Sequence, residues 1–147
     1  MGWSAGKRIA MATAIAGTLD ILAAAGLTLY FGRTIAGMLR YVATGPFPAA
    51  KDWGSAGALL GLAVHFALMA VMAAAFVLAA DRNPALKRQP WLSGLLYGLA
   101  TYVVMNLIVV PLRFHTPLPP STTSIVTQLF CHIVLVGIPI AMVARKG

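Results

Sequence analysis

Four long apolar runs, each interrupted by a strongly polar side chain, set the pattern of this chain. The runs are Ile9–Phe31, Gly57–Ala80, Leu92–Leu112 and Thr122–Ala144. Each meets the roughly 20 residues that a helix needs to cross about 30 Å of hydrocarbon. None alternates with the period of a barrel strand, and a chain in lipid must pair its backbone groups internally, so helices are predicted. The expected fold class is an all-α membrane protein. It has a single transmembrane domain over residues 1–147, with four transmembrane helices in a bundle.

The connections differ in kind. Between the first two runs, Ile35, Met38, Leu39 and Val42 fall at i, i+3, i+4 and i+7, with Arg40 off that face and Gly45-Pro46 as a stop. This spacing predicts a short helix over about 34–43, lying at the outer interface or dipping in as a re-entrant piece. Asp81–Trp91 is a short basic loop with two prolines. Arg113–Ser121 reads as a stiff segment with polyproline character. In the last run, Pro139 is expected to kink the helix.

Composition agrees with a membrane class. Of 147 residues, 60% are hydrophobic and only 10% charged, against about 25% charged in a soluble domain. The net charge of +8 raises nucleic acid as a partner. The basic residues, however, flank the apolar runs instead of forming a stripe on one soluble face, which argues against that class.

Loop charge sets the expected orientation. With the N-terminus inside, Lys7, Arg8, Arg82, Lys87, Arg88, Arg145 and Lys146 lie on the inner side, and Arg33, Arg40, Lys51 and Arg113 on the outer. Seven against four places both termini in the cytoplasm. Trp3, Trp53 and Trp91 each precede a run, where an amphipathic ring anchors among headgroups.

The expected location is a bacterial inner membrane. Expected partners are the lipid bilayer, with anionic lipids at the cytoplasmic face, and a homo-oligomer or larger membrane complex. Lys7-Arg8 before an apolar run imitates a signal peptide, but Asp20 inside that run and its continuation to Phe31 favour a retained helix. Cys131 is the sole cysteine, so no intrachain disulfide is expected.

The candidate chemistry lies in the polar interruptions. An ionisable side chain in hydrocarbon costs roughly 2.5–3.5 kcal/mol on insertion scales and marks a functional-site hypothesis. The residues are Asp20, His65, Asn106, Gln128 and His132. At 1.5 Å per residue they fall within a band about 6 Å thick, between midplane and outer leaflet.

Helical faces agree. Gly57, Gly61 and His65 share one face, as do Gly94, Gly98, Tyr102 and Asn106, and likewise Ser124, Gln128 and His132. Thr13, Gly17, Asp20 and Ala24 share another. Small residues mark close helix approach, so Gly17, Gly61, Gly98 and Tyr102 are expected to line a pocket beside the polar groups. Each hairpin also carries one Asp or Asn and one His, although the flanking residues do not align as a repeat.

Four readings of these residues compete. The first is a buried network of Asp20, His65 and His132 that handles protons or a small solute. The second is a metal site with Asp20, His65 and His132 as ligands. The third is a haem between His65 and His132, disfavoured because glycine-lined faces leave no room for a macrocycle. The fourth is interhelical hydrogen bonding within a structural or accessory subunit, at about 0.6 kcal/mol per bond.

No cofactor is expected. No nucleophile motif, phosphate-binding glycine loop or CxxC is present, and two of the three acids lie in loops. A non-enzymatic role is therefore expected.

The strings GTLDI from Gly17, GLAVHFAL from Gly61, LYGLATYVVMNLIVVPL from Leu96, and His132 followed by VGIPIAM resemble a family of small bacterial inner-membrane proteins. In organisation it is similar to the YagU-like proteins, to which a role in acid tolerance has been attached. The resemblance spans most of the chain. It implies four helices and an inner-membrane location, and it supplies no catalytic motif.

Overall fold

The computed structural model describes residues 2–147, which form helices and short connections without strands. Helix α1 spans Ala5–Tyr30, α2 Ile35–Ala43 and α3 Gly54–Arg82. Helix α4 spans Pro90–Phe114 and α5 Thr122–Ala144. A 3-10 turn, Pro48–Asp52, joins α2 to α3, and one helical turn, Ala85–Arg88, joins α3 to α4. Helices α1, α3, α4 and α5 are long and apolar enough to cross a membrane.

Local chemistry explains the boundaries. The Ser4 hydroxyl accepts the Lys7 N–H, and this cap starts α1 four residues before the predicted Ile9. Thr34 and Ser121 cap α2 and α5 in the same way. Pro90 opens α4, where its missing N–H leaves no bond unmade.

Inside α4 and α5 the helix widens. Val103–Val109 and Cys131–Gly137 are π-helical, closed by Val110 N–H to Met105 O and Ile138 N–H to Ile133 O. Each wide stretch ends just before a proline, Pro111 or Pro139. A proline ring clashes with the carbonyl four residues back, and widening the preceding turn moves that carbonyl away. Pro139 therefore acts through a wide turn, and Pro111 repeats the device.

The outward faces are apolar. Leu59, Val71 and Leu112 are 69%, 67% and 74% exposed, as expected of helices that meet lipid and not of a soluble monomer. The inward faces carry small residues. Ala12 and Ala16 of α1 pack with Ala73, Val77 and Ala80 of α3 and with Val136, Ile140, Ala141 and Ala144 of α5. Without a solvent contrast inside lipid, such contacts hold by van der Waals packing, which small side chains permit.

This core fills the half nearer the chain termini. Helix α5 is central, touching α1, α3 and α4.

Two features depart from the sequence expectations. Arg8 is 4% exposed, not a solvated flank. Its Nη1 and Nη2 each donate to the Asp81 carboxylate at 2.8 Å, its Nη1 also to Ala144 O at 3.1 Å, and its Nε to Trp3 O at 3.1 Å. One guanidinium thus joins α1, α3 and α5 at the end where Trp3 N–H also meets Lys146 O at 2.8 Å.

The second departure concerns Gly57 and Gly61. They face α2 and its following turn, not another long helix. A Cβ on Gly61 would overlap the Leu39 carbonyl, and one on Gly57 the Ala50 carbonyl.

Candidate functional site

Beyond the alanine-rich core, at the end that carries α2, the four long helices leave a cavity of about 520 Å³. Asp20 of α1, His65 of α3, Asn106 of α4, and Gln128 and His132 of α5 all line it. Tyr41, Val42, Gly45 and Pro46 close it from the α2 side, and methionines 69, 72 and 105 supply apolar wall. The polar residues of separate helices do converge. Their convergence follows from depth: each lies in the half of its helix that the core does not occupy.

The four predicted pocket-lining residues take other positions. Gly17 packs under Phe66 and Met69, Gly61 under Leu39, and Gly98 against His132 and Ile133. Tyr102 is buried with its ring edge-on to His132 at 6.1 Å. These residues let the helices approach closely and stand behind the cavity wall.

The polar groups form two separate sets. In the first, the His65 Nε2–H donates to Gly17 O at 2.9 Å. Backbone carbonyls only accept, so this bond places a proton on Nε2. Nδ1 is left facing Asp20 Oδ2 at 3.9 Å. The His65 side chain is 9% exposed and that of Asp20 21%, so the carboxyl is the more accessible of the two.

The second set follows from the direction of its bonds. The Thr101 hydroxyl donates to Gly98 O at 2.9 Å. Its single proton is thereby used, so it accepts from His132 Nδ1–H at 3.1 Å. His132 Nε2 then accepts from Asn106 Nδ2–H at 3.0 Å. His132 is thus a neutral imidazole with both nitrogens bonded. Each pair, Asp20 with His65 and Asn106 with His132, falls within one hairpin.

Thr101 was not among the residues expected from sequence. Thr101 and Asn106 are five positions apart, about 140° on a regular α-helix. The wide turn that begins at Val103 brings them toward one face, so both reach the same ring. A hydroxyl three residues after Gly98 was the only signal in the sequence.

Arg113, expected in an outer loop, was also missed as a wall residue. Its Nε donates to Gly45 O and its Nη2 to Thr44 O, both at 2.6 Å. It ties the end of α2 over the cavity.

The metal reading of Asp20, His65 and His132 needs correction. Among the described residues no three His, Cys, Asp or Glu side chains gather where they could share an ion. The physical reason is that both His132 nitrogens are engaged by Thr101 and Asn106, and the two histidines belong to different sets.

No protein-family model matches this chain, and neither a curated protein nor a solved structure does.

Proposed function

We propose that this chain is a multi-pass protein of a bacterial inner membrane, a four-helix bundle whose central cavity handles protons or a small polar solute. In this reading both termini lie in the cytoplasm beside anionic lipids, and α2 lies at the outer interface. The seven-to-four distribution of basic residues supports that orientation, and the bond of Trp3 N–H to Lys146 O fits both termini sharing one side, whichever side it is. The role is non-enzymatic.

The observation that carries the reading is that Asp20, His65, Asn106, Gln128 and His132, from four helices, line one cavity. Within it Asp20 and His65 form the titratable element. With His65 Nε2–H committed to Gly17 O, Nδ1 is the nitrogen that faces the carboxyl, 3.9 Å from Oδ2. With one proton on these two groups the pair is either acid with imidazole or carboxylate with imidazolium, and both states are neutral overall. A second proton makes the pair cationic, and loss of the first makes it anionic. A proton can pass from one group to the other with no change in the net charge of the pair, whereas uptake from or release to the cavity changes that charge by one. Proton handling also fits the acid-tolerance role implied by the sequence resemblance.

Asn106, His132 and Thr101 play a different part. Their bonds close on one another and on Gly98 O, which favours an interhelical structural role.

The test is proton flux into proteoliposomes under an imposed gradient, with wild type, Asp20→Asn and His65→Gln at matched incorporation. Wild type should exceed empty vesicles, and both variants should fall to the empty-vesicle rate while keeping their melting temperatures within a few degrees. A parallel arm follows release of trapped small solutes. Wild-type rates equal to those of empty vesicles in both arms, or variants equal to wild type, would overturn the reading.

A further inference from the structure

A second cavity, of about 460 Å³, lies beside the first at the α2 end of the molecule. Three cations face it: Arg40 from α2, Lys51 from the 3-10 turn and Arg113 from the end of α4. No carboxylate lines it. Asp52 follows Lys51 in the chain, yet among the described residues the ion pairs are Arg8 and Lys87 with Asp81, and Asp20 with His65. Tyr41 brings no opposing charge, because burial pushes its phenol up against the weaker downward pull of Arg113.

The lining is also pre-shaped. Arg113 is held by Gly45 O and Thr44 O through Nε and Nη2, and among the described residues Nη1 has no hydrogen-bond partner. Tyr41 and Phe114 stack at 4.6 Å to form one wall. A guanidinium fixed in place loses little freedom on meeting an anion.

From this we infer that the Arg40/Lys51/Arg113 cavity binds a phosphate-class oxyanion. Such a group offers several acceptor oxygens, matching two guanidinium groups and an ammonium around one space. Two sources share this chemistry: the headgroup of an anionic phospholipid and free phosphate. The partly exposed rings of Phe47 and Trp53 border this end, as aromatic side chains do at headgroup depth. This site lies at the end opposite the Arg8–Asp81 clamp and so is distinct from the anionic lipids expected beside the termini. Arg113 also lines the central cavity, so an anion here alters the field beside Asp20 and His65. The inference does not require that pair to move protons.

The experiment is thermal unfolding of the full chain in neutral detergent, titrated separately with inorganic phosphate, phosphatidylglycerol and phosphatidylcholine. The proteins are wild type, Arg40→Gln and Lys51→Gln. Arg113 is left intact because it anchors α2. Phosphatidylglycerol or phosphate should raise the wild-type melting temperature by several degrees, with phosphatidylcholine giving the lipid background. Each variant should melt as wild type without ligand and need about tenfold more ligand for the same shift. A response to both anions assigns the site to phosphate chemistry in general, and a response to the lipid alone assigns it to the headgroup. No anion-specific shift, or the same shift in the variants as in wild type, overturns the inference.

Discussion

Replacing Gly98 by alanine tests a close contact between α4 and α5 and, through it, the placement of His132. A Cβ at position 98 lies 2.5 Å from the Ile133 Cα and 2.9 Å from the His132 carbonyl carbon, with the His132 oxygen nearer still. Carbon atoms rest at about 3.5–4.0 Å. The two helices must therefore part by about 1 Å or more, because the obstacles are backbone atoms that cannot swing aside. Overpacking of this kind costs about 1–3 kcal/mol, or roughly 3–9 °C of melting temperature for a chain of this length. The shift also displaces the backbone that carries the His132 ring, held at 3.0 Å by Asn106 and 3.1 Å by Thr101.

Cys131 provides the assay. It is the only cysteine and 5% exposed, so a thiol-reactive fluorescent dye in detergent reports unfolding directly. Gly26→Ala is the control, since a Cβ there meets nothing within 4 Å and alanine is favoured over glycine in a helix by about 1 kcal/mol. Gly17→Ala is intermediate: its Cβ meets the Phe66 ring at 2.7 Å, and that ring can rotate. The expected order of melting is Gly26→Ala at or above wild type, then Gly17→Ala, then Gly98→Ala. If Gly98→Ala melts with Gly26→Ala, the close α4–α5 contact is wrong.

Three further outcomes are expected in the same assay. Arg8→Ala removes the paired bonds to Asp81 and those to Trp3 O and Ala144 O, and should destabilise by about 2–4 kcal/mol. Asp81→Asn should cost less, about 1 kcal/mol, because its side chain is 32% exposed and exposure screens the pair; equal losses would contradict the central role given to Arg8. Thr101→Val leaves His132 Nδ1–H without its acceptor and should cost about 1–3 kcal/mol, whereas Thr101→Ser should melt near wild type. Tyr97→Phe gives up the bond to Met72 O at 2.7 Å for no more than about 1 kcal/mol, since that carbonyl belongs to α3 and keeps its helical partner.

Depth along each helix was legible without coordinates. A residue's distance from the ends of an apolar run converts to height in the bilayer at 1.5 Å per residue, and this predicted that Asp20, His65, Asn106, Gln128 and His132 would meet. Which partner each takes was not legible. Gly61 was expected to serve the seam between long helices, but it receives α2, because the connecting segment folds back onto α3 closely enough to exclude any Cβ. Arg8 looked like a membrane flank, and only the approach of Asp81 and the chain's last residues buries it.

What the sequence alone determined is the number of long helices, their approximate limits and the level at which polar groups interrupt them. These depend on local hydrophobicity and on a fixed rise per residue. The tertiary structure decided that the groups divide into an Asp20–His65 pair and a Thr101–His132–Asn106 set, that α2 covers their cavity, and that Arg113 holds α2 there. Those outcomes depend on rotation about each helix axis and on the wide turns before Pro111 and Pro139. Such turns shift the facing of every side chain across them, and their effect becomes defined only when neighbouring helices supply the partners.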